Sequence, residues 1–511
     1  MKEFTELPQF TLVMDLIRLL DEEYCRTNQV VVLGPLPKSY SSPASLGMLD
    51  TSDEKTLVEV EQKIGRKVKP IQLNAYEINR AIDFGYGKAR SLLMGDEEEI
   101  ERKREPVFLY HDTQIKFSRD QTIPEILIDT LSEAVTRRAT DIHIETYEND
   151  VDLRFRIDGL MHQVTTPLSA GNVRAVISHI KILAELDISD RRNPQDGRLL
   201  AYYYDKGEVA RRISFRASIL PGPFGEDAVL RVLDEGRTLL TLNDLGMNSK
   251  ILERFQRMVK SPGGMILVTG PTASGKTTTL YAAIQSISLS GKKILTVEDP
   301  IELEIPKVNQ KQVTSQLSFA AYARAFMRQN PDVLMIGEVR DEETALIALK
   351  AAQMGHLVLT TLHTPDSVSA IGRLGTLGVD RALLVSTLLG VLSQRLVRKI
   401  CKECKRNHDL DATLISHLPW FPKEIVSYKG QGCKICGGTG FFERIGVFEL
   451  LEFDDSLREQ IALGFDMSMD ELSKRFKFDR LYDDAVSKVE QGTTTIEEVI
   501  RTVPLRSNRR S

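Results

Sequence analysis

The sequence predicts a multidomain α/β protein: a P-loop core on a parallel sheet, preceded by an α+β domain and followed by a tetracysteine insert and a helical C-terminus. Three observations carry this. Short apolar runs at 265–269, 294–297, 333–336 and 357–361 alternate with helical stretches, the pattern of a parallel sheet covered on both faces. Residues 270–277 (GPTASGKT) follow the first run and fit G-x-x-x-x-G-K-[ST]. Two CxxC pairs, Cys401/Cys404 and Cys433/Cys436, follow the last run.

A chain of 511 residues exceeds one hydrophobic core, and about three or four domains are expected. Residues 1–93 mix apolar stretches with turn formers such as Pro35, Pro37 and Pro43, and Leu12, Val13, Leu16, Ile17, Leu19 and Leu20 have helical spacing. They form an N-terminal domain. Residues 94–106 (MGDEEEIERKREP) read equally as a charged linker or a solvated helix. An α+β domain spans 107–235. Thr122 and Glu125 have capping-box spacing and Pro124 suits a first helical turn, so a helix runs from there to about Arg138. Strand-like DIHIE, VDLRFRID, RRISFRAS and AVLRVLD then surround an amphipathic helix at 172–186. The P-loop core occupies 236–400, the tetracysteine segment 401–445, and a charged helical domain 446–511.

Hydrophobic residues at 42% and charged residues at 27% are those of a soluble globular protein. The formal charge of −5 argues against broad, sequence-independent nucleic-acid binding, which needs a large positive field. The most apolar stretch, 382–392, is interrupted by Ser386, Thr387 and Gly390 and followed by Arg395. It falls short of the roughly 20 apolar residues of a membrane span and reads as a buried core helix. No basic region followed by an apolar run opens the sequence, so no secretory signal is expected. Of five cysteines, four lie in the CxxC pairs, which points to a reducing, cytoplasmic compartment.

The loop carries the first chemistry. Gly270 and Gly275 let successive backbone N–H groups turn toward phosphate oxygens, with Thr272, Ala273, Ser274 and Thr278 completing the binding segment. Lys276 supplies a point charge to the β- and γ-phosphates of ATP, and the Thr277 hydroxyl can ligate Mg²⁺. Glu298 and Asp299 follow the run ILTV, and Glu338, Arg340 and Asp341 follow VLMI. Carboxylates at the C-terminal ends of parallel strands lie where such sheets bind ligands. Alone, each reads as a solvated loop residue. Behind a P-loop, the pair reads as one group that orients or deprotonates water and one that helps hold Mg²⁺. His356 and His363 bracket HLVLTTLH; His363, after the strand, suits a γ-phosphate sensor, and the alternative for each is a packed, hydrogen-bonded histidine. The four cysteines have the spacing of a Zn²⁺ site, and four sulfurs leave no open position for water, so its role is structural.

Read together, GPTASGKTTTLYA, LTVEDPIE, RQNPDVLMIGEVRDEETA and GHLVLTTLHT resemble the P-loop, acidic box, second carboxylate motif and histidine box of the secretion ATPases that power type II secretion and type IV pilus assembly. TDIHIE, RFRIDG, PQDGR and FGEDAVLRVLD resemble the preceding domain of that family, so the resemblance spans roughly 120–505. It implies a RecA-like core behind a PAS-like domain. It further implies a homo-oligomeric, hexameric ATPase on the cytoplasmic side of the inner membrane, held there indirectly by platform and adaptor proteins, with no nucleic acid as partner. By motif position Arg216 and Arg231 match arginines that the upstream domain contributes to the site, and Arg324 and Arg328 match other functional positions. The resemblance makes Glu298 the water activator and Glu338 the Mg²⁺ partner, roles that the residues alone leave exchangeable. The tetracysteine insert favours the secretion and pilus-extension branch over retraction ATPases.

Four positions depart from common patterns. Ala273 stands where the family commonly has Gly, Thr277 replaces Ser, TPDS at 364–367 replaces the usual Thr-Asn-Asp, and Gly337 lies where many P-loop proteins carry an Mg²⁺-binding Asp, a feature this family shares. Residues 1–93 weakly resemble the family's partner-docking domain, with KVKPIQLNAYEINRAI the best match. Two other functions are weighed against the motor: a nucleic-acid motor, which DNA- or RNA-stimulated turnover would reveal, and an ATP-binding scaffold without turnover.

Overall fold

The computed structural model describes residues 14–17, 19–33, 44–73, 75, 78, 81–82, 107–110, 121–204, 211–234, 239–288, 291–409, 422, 426–463, 478 and 480–504. The charged run 94–106 lies outside them, as do Leu12, Val13, the prolines at 35–43 and part of KVKPIQLNAYEINRAI. Contacts divide the chain into two compact units, one of residues 1–136, 141–154 and 163–234, the other of 137–140, 155–162 and 235–511.

Near the N-terminus, β1 (Val30–Leu33), β2 (Ala44–Met48) and β3 (Val68–Gln72) form a three-stranded sheet, with β2 antiparallel to β1 and parallel to β3. The helix Glu54–Ile64 links β2 to β3; the Asp53 side chain caps it by accepting from Thr56 N, and Gly65 ends it at φ 69°. A second sheet has the order β4-β8-β9-β10-β5-β6-β7, from β4 (Val107–Tyr110), β5 (Ala139–Thr146), β6 (Val151–Ile157), β7 (Leu160–Gln163), β8 (Gln195–Tyr204), β9 (Arg211–Pro221) and β10 (Glu226–Asp234). Strand β6 alternates strictly, burying Val151, Leu153, Phe155 and Ile157 between half-exposed polar residues as a one-sided strand must. The expected helices are present at Ile123–Thr136 and Val173–Leu183. Glu125 Oε2 accepts from both the N–H and the hydroxyl of Thr122, each at 2.8 Å, which satisfies an otherwise orphaned donor at the first helix's start.

The 235–511 unit is organised on a sheet of order β13-β12-β14-β15-β11-β16-β19. Its strands are β11 (Gly264–Thr269), β12 (Ile294–Glu298), β13 (Asn309–Gln312), β14 (Val333–Ile336), β15 (Leu357–Leu362), β16 (Leu388–Ile400) and β19 (Phe441–Glu452), while β17 (Lys405–His408) and β18 (Ser427–Gly430) form a separate antiparallel pair. All pairings within the larger sheet are parallel except β16 with β19. Side chains alternate between two cores. Met265, Leu267, Leu334 and Ile336 enter one, and Ile266, Val268, Val333 and Met335 enter the other. Burying each such side chain contributes about 1.5–3 kcal/mol, so the sheet is fixed from both faces and its strand ends are held rigidly.

Two expectations are corrected here. Residues 382–392 are not one core helix: the helix Arg381–Thr387 ends and β16 begins at Leu388. A strand with neighbours on both sides and both faces covered shows no alternation, and its apolar run cannot be told from a buried helix. The stretch from 446 is also not helical at its start, because β19 extends to Glu452 to pair with β16. The helices Asp455–Ala462, Leu481–Glu490 and Ile496–Thr502 follow it.

Candidate nucleotide site and metal centre

Strands β12, β14, β15 and β11 are neighbours, and their C-terminal ends bring Glu298, Glu338, His363 and the 270–277 loop to one edge of the sheet. Open parallel sheets bind ligands at this edge. The loop turns at Gly270 (φ 151°), Ala273 (φ 60°) and Gly275 (φ 86°) and runs into the helix Lys276–Ser288. Its N-terminal amides and helix dipole favour an anion there. Ala273, in place of glycine, holds a left-handed conformation that costs a side-chain-bearing residue about 1–2 kcal/mol. Pro271, Thr272, Ala273 and Thr278 are exposed, Thr277 is half-buried, and Ser274 and Lys276 are buried.

Lys276 Nζ donates to the carbonyls of Gly270 at 2.9 Å and Pro271 at 3.0 Å and lies 3.3 Å from His363 Nδ1. His363 Nε2 in turn lies 3.2 Å from Glu338 Oε1. An ammonium can only donate, so Nδ1 accepts and the ring proton sits on Nε2, directed at Glu338. Burial pushes Lys276 down to about 8, with Glu338 opposing and Arg395 reinforcing the shift. Burial, and then the Lys276 charge, also lower His363 against the opposing pull of Glu338, which agrees with a neutral imidazole. Arg340 completes the cluster, donating to Glu338 Oε2 at 2.8 Å and to Asp299 Oδ2 at 3.4 Å. It joins the two acidic motifs.

Glu298 is enclosed. Thr296 Oγ1 (2.6 Å) and Gln310 Nε2 (3.0 Å) donate to its Oε1, and the Tyr281 hydroxyl donates to its Oε2. Burial first, and then the Glu298 charge, push the Tyr281 phenol up, so it stays protonated and can keep donating. Sequence reasoning missed Tyr281 and Gln310; the only signal was a tyrosine one and a half turns into the helix behind the P-loop. Gly337 is also explained, since a Cβ there would lie 3.2 Å from Val297 O and 3.4 Å from the Phe319 ring, so an aspartate would crowd β12. In TPDS, Asp366 caps the helix Ser367–Thr376 by accepting from Ser369 N at 2.7 Å, while the Thr364 and Thr269 hydroxyls are 2.6 Å apart.

Other candidates lie elsewhere. His356 precedes β15, at the opposite end from His363, and its Nδ1 bonds Ala351 O at 2.9 Å, the packed alternative. Arg216 and Arg231 are cross-strand partners on β9 and β10, and Arg231 Nε lies 3.2 Å from Asp141 Oδ1; they belong to the other unit. Arg324 pairs with Glu343, and Arg328 is exposed.

The cysteines converge at the ends of the β16/β19 pair. Cys401 follows β16, and Cys433 and Cys436 precede β19. Their sulfurs all lie within 4.8 Å of one another, with Cys401–Cys433, Cys404–Cys436 and Cys433–Cys436 at 3.8, 3.9 and 3.7 Å. A tetrahedral Zn²⁺ with bonds of about 2.3 Å separates its sulfurs by about 3.8 Å, so the four can hold a metal. Burial pushes the Cys436 thiol up, but the N–H groups of Cys433 (3.1 Å) and Gly440 (3.3 Å) aimed at its sulfur bring it down to about 7. Gly437 and Gly438, at φ 58° and 81°, make the turn that leads from Cys436 to the Gly440 N–H.

Residues 117–501 match the family described as Type II/IV secretion system protein. The chain belongs to that family. It is 38% identical over 469 residues to the Type II secretion system ATPase E of Vibrio cholerae, covering 90% of this chain and 92% of that protein. It is 39% identical over 454 residues to the Type IV pilus assembly ATPase PilB of Thermus thermophilus, covering 88% of this chain and 50% of that longer protein. The ATPase DotB of Legionella pneumophila shares the fold, with a TM-score of 0.55 and 22% identity over 78% of this chain and 99% of its own. Among the described residues no helix is long and apolar enough to cross a membrane.

Proposed function

We propose that this family member hydrolyses Mg²⁺-ATP at the 270–277 loop and uses the energy to drive pseudopilus assembly for type II secretion. The family and its relatives make the chain an ATP hydrolase. Pilus extension is the alternative output, named for the PilB relative. The observation that carries the hydrolytic reading is the chain of contacts from Lys276 through His363 to Glu338 at the mouth of the loop. Lys276 would hold the β- and γ-phosphates and Thr277 the Mg²⁺. The four cysteines would hold Zn²⁺ as a structural clasp. Work of this kind requires moving partners, and we include a hexameric ring, arginines 216 and 231 as charge stabilisers supplied by the 107–235 domain, and recruitment to the inner membrane by platform and adaptor proteins.

The two carboxylates are assigned Glu298 as water activator and Glu338 as Mg²⁺ partner. The exchanged assignment has support too: Glu298 is 2% exposed and accepts three hydrogen bonds, whereas Glu338 adjoins His363 and, through it, Lys276. Turnover of Glu298→Gln and Glu338→Gln across a Mg²⁺ titration tests this. Loss of the metal partner raises the Mg²⁺ requirement, while loss of the water activator lowers kcat by about 10²-fold or more at unchanged Mg²⁺ requirement. If both variants turn over normally, hydrolysis at this site is wrong.

A further inference from the structure

The apolar run that opens strand β16, Leu388–Leu392, is broken by Ser393-Gln394-Arg395, and Gln394 is only 1% exposed. A buried amide costs free energy unless both halves are bonded. Here both are, and both partners belong to the P-loop and its helix. Gln394 Nε2 donates to Ser274 O at 2.6 Å, and Thr279 Oγ1 donates to Gln394 Oε1 at 2.8 Å. The orientation is unambiguous: a carbonyl can only accept, so the amide nitrogen must face Ser274.

The register explains why this residue reaches the loop. Ser393 pairs with Thr269, the last residue of β11, so Gln394 lies beside Gly270 where the loop departs. A Cβ on Gly270 would sit 2.5 Å from the Gln394 backbone carbonyl oxygen, and one on Gly275 would sit 3.1 Å from the side-chain Nε2 of Gln394. Gln394 is therefore the floor on which both loop glycines rest, through its backbone under Gly270 and its side chain under Gly275.

We propose that Gln394 is a positioning residue that sets the phosphate-facing direction of the Gly275 N–H. The Ser274 carbonyl and the Gly275 N–H share one planar trans peptide and point in opposite directions. Drawing the carbonyl down onto Gln394 turns the N–H up, out of the floor and toward the side where a P-loop cradles phosphate. Thr279, one turn into the helix Lys276–Ser288, fixes the amide plane and ties the same side chain to the helix. The inference rests on the reading of 270–277 as the nucleotide site.

The test is a titration of Gln394→Glu, Thr279→Val, Lys276→Ala and the parent full chain with fluorescent N-methylanthraniloyl ATP and ADP, taking Kd and sites per chain separately. Gln394→Glu keeps the volume and the acceptor for Thr279 but sets a lone pair against Ser274 O. Its Kd is expected to rise about tenfold or more, by the same factor for ATP and ADP because both carry the β-phosphate, with sites per chain unchanged. Thr279→Val, which leaves the bond to Ser274, is expected to rise about threefold at most. A Gln394→Glu Kd within twofold of the parent, while Lys276→Ala loses binding, overturns the inference and leaves the site reading intact. Fewer sites at an unchanged Kd mean a purely structural role and overturn it as well. Parent-like binding by Lys276→Ala overturns the site reading and the inference with it.

Discussion

His363 Nε2 stands 3.2 Å from Glu338 Oε1, while the other nitrogen of the same ring stands 3.3 Å from Lys276 Nζ. The imidazole therefore couples the P-loop lysine to the second carboxylate motif and does so as a neutral group. His363→Ala should lower kcat about tenfold or more while moving KM little, because it disturbs the orientation of Glu338 more than the phosphate cradle. Burial and Lys276 depress the imidazole below its usual value, so the protonation of His363 should appear in the kcat/KM profile only below about pH 6.5. A His363-dependent inflection above that value would contradict the assigned tautomer.

At the far end of the chain, Glu498 joins the helix Ile496–Thr502 to β16. Its carboxylate accepts from Arg398 N (3.1 Å) and Nη2 (3.0 Å) and from Arg501 Nε (2.7 Å) and Nη2 (2.9 Å). Burial alone would raise its pKa, but these donors bring it from 4.5 down to about 2. A carboxylate depressed on folding stabilises the folded state above its unfolded pKa, and the contribution is lost as pH falls through the folded value. Glu498→Gln should therefore lower the thermal midpoint most above about pH 4.5, and the gap from the parent should close toward pH 2. A gap that stays constant across that window would contradict the ion-pair account.

The tetracysteine centre makes a stoichiometric prediction. Purified protein should carry one Zn²⁺ per chain, and Cys433→Ser should lose it and lower the thermal midpoint, because a structural site's binding energy is folding energy. Metal analysis finding none, with all four thiols freely reactive, would refute this.

Much of the site could be read from the chain because parallel sheets present consecutive strand ends at one edge. The residues that follow ILTV, VLMIG and LVLTTL had to reach the edge of the sheet where the loop sits, and Glu298, Glu338 and His363 do. The cysteine pairs were legible because ligand spacing is local. Side-chain partners across strands were not: nothing near Glu298 in sequence points to Gln310, and Tyr281 comes from a different crossover. The first residues of β16, 388–392, read as the end of a core helix because a strand buried on both faces loses its alternation. Gln394, directly after that apolar run and Ser393, was the available clue to a buried contact, since a buried amide must have a partner.

In the proposed reaction the 270–277 loop binds and hydrolyses ATP, with Lys276 as its fixed positive charge. Steady-state ATP turnover by Lys276→Ala, beside parent protein of equal thermal midpoint, tests it most directly. Turnover should fall to the background of the assay; ATP hydrolysis by the variant at the parent rate would rule out Lys276 as the charge on which hydrolysis depends.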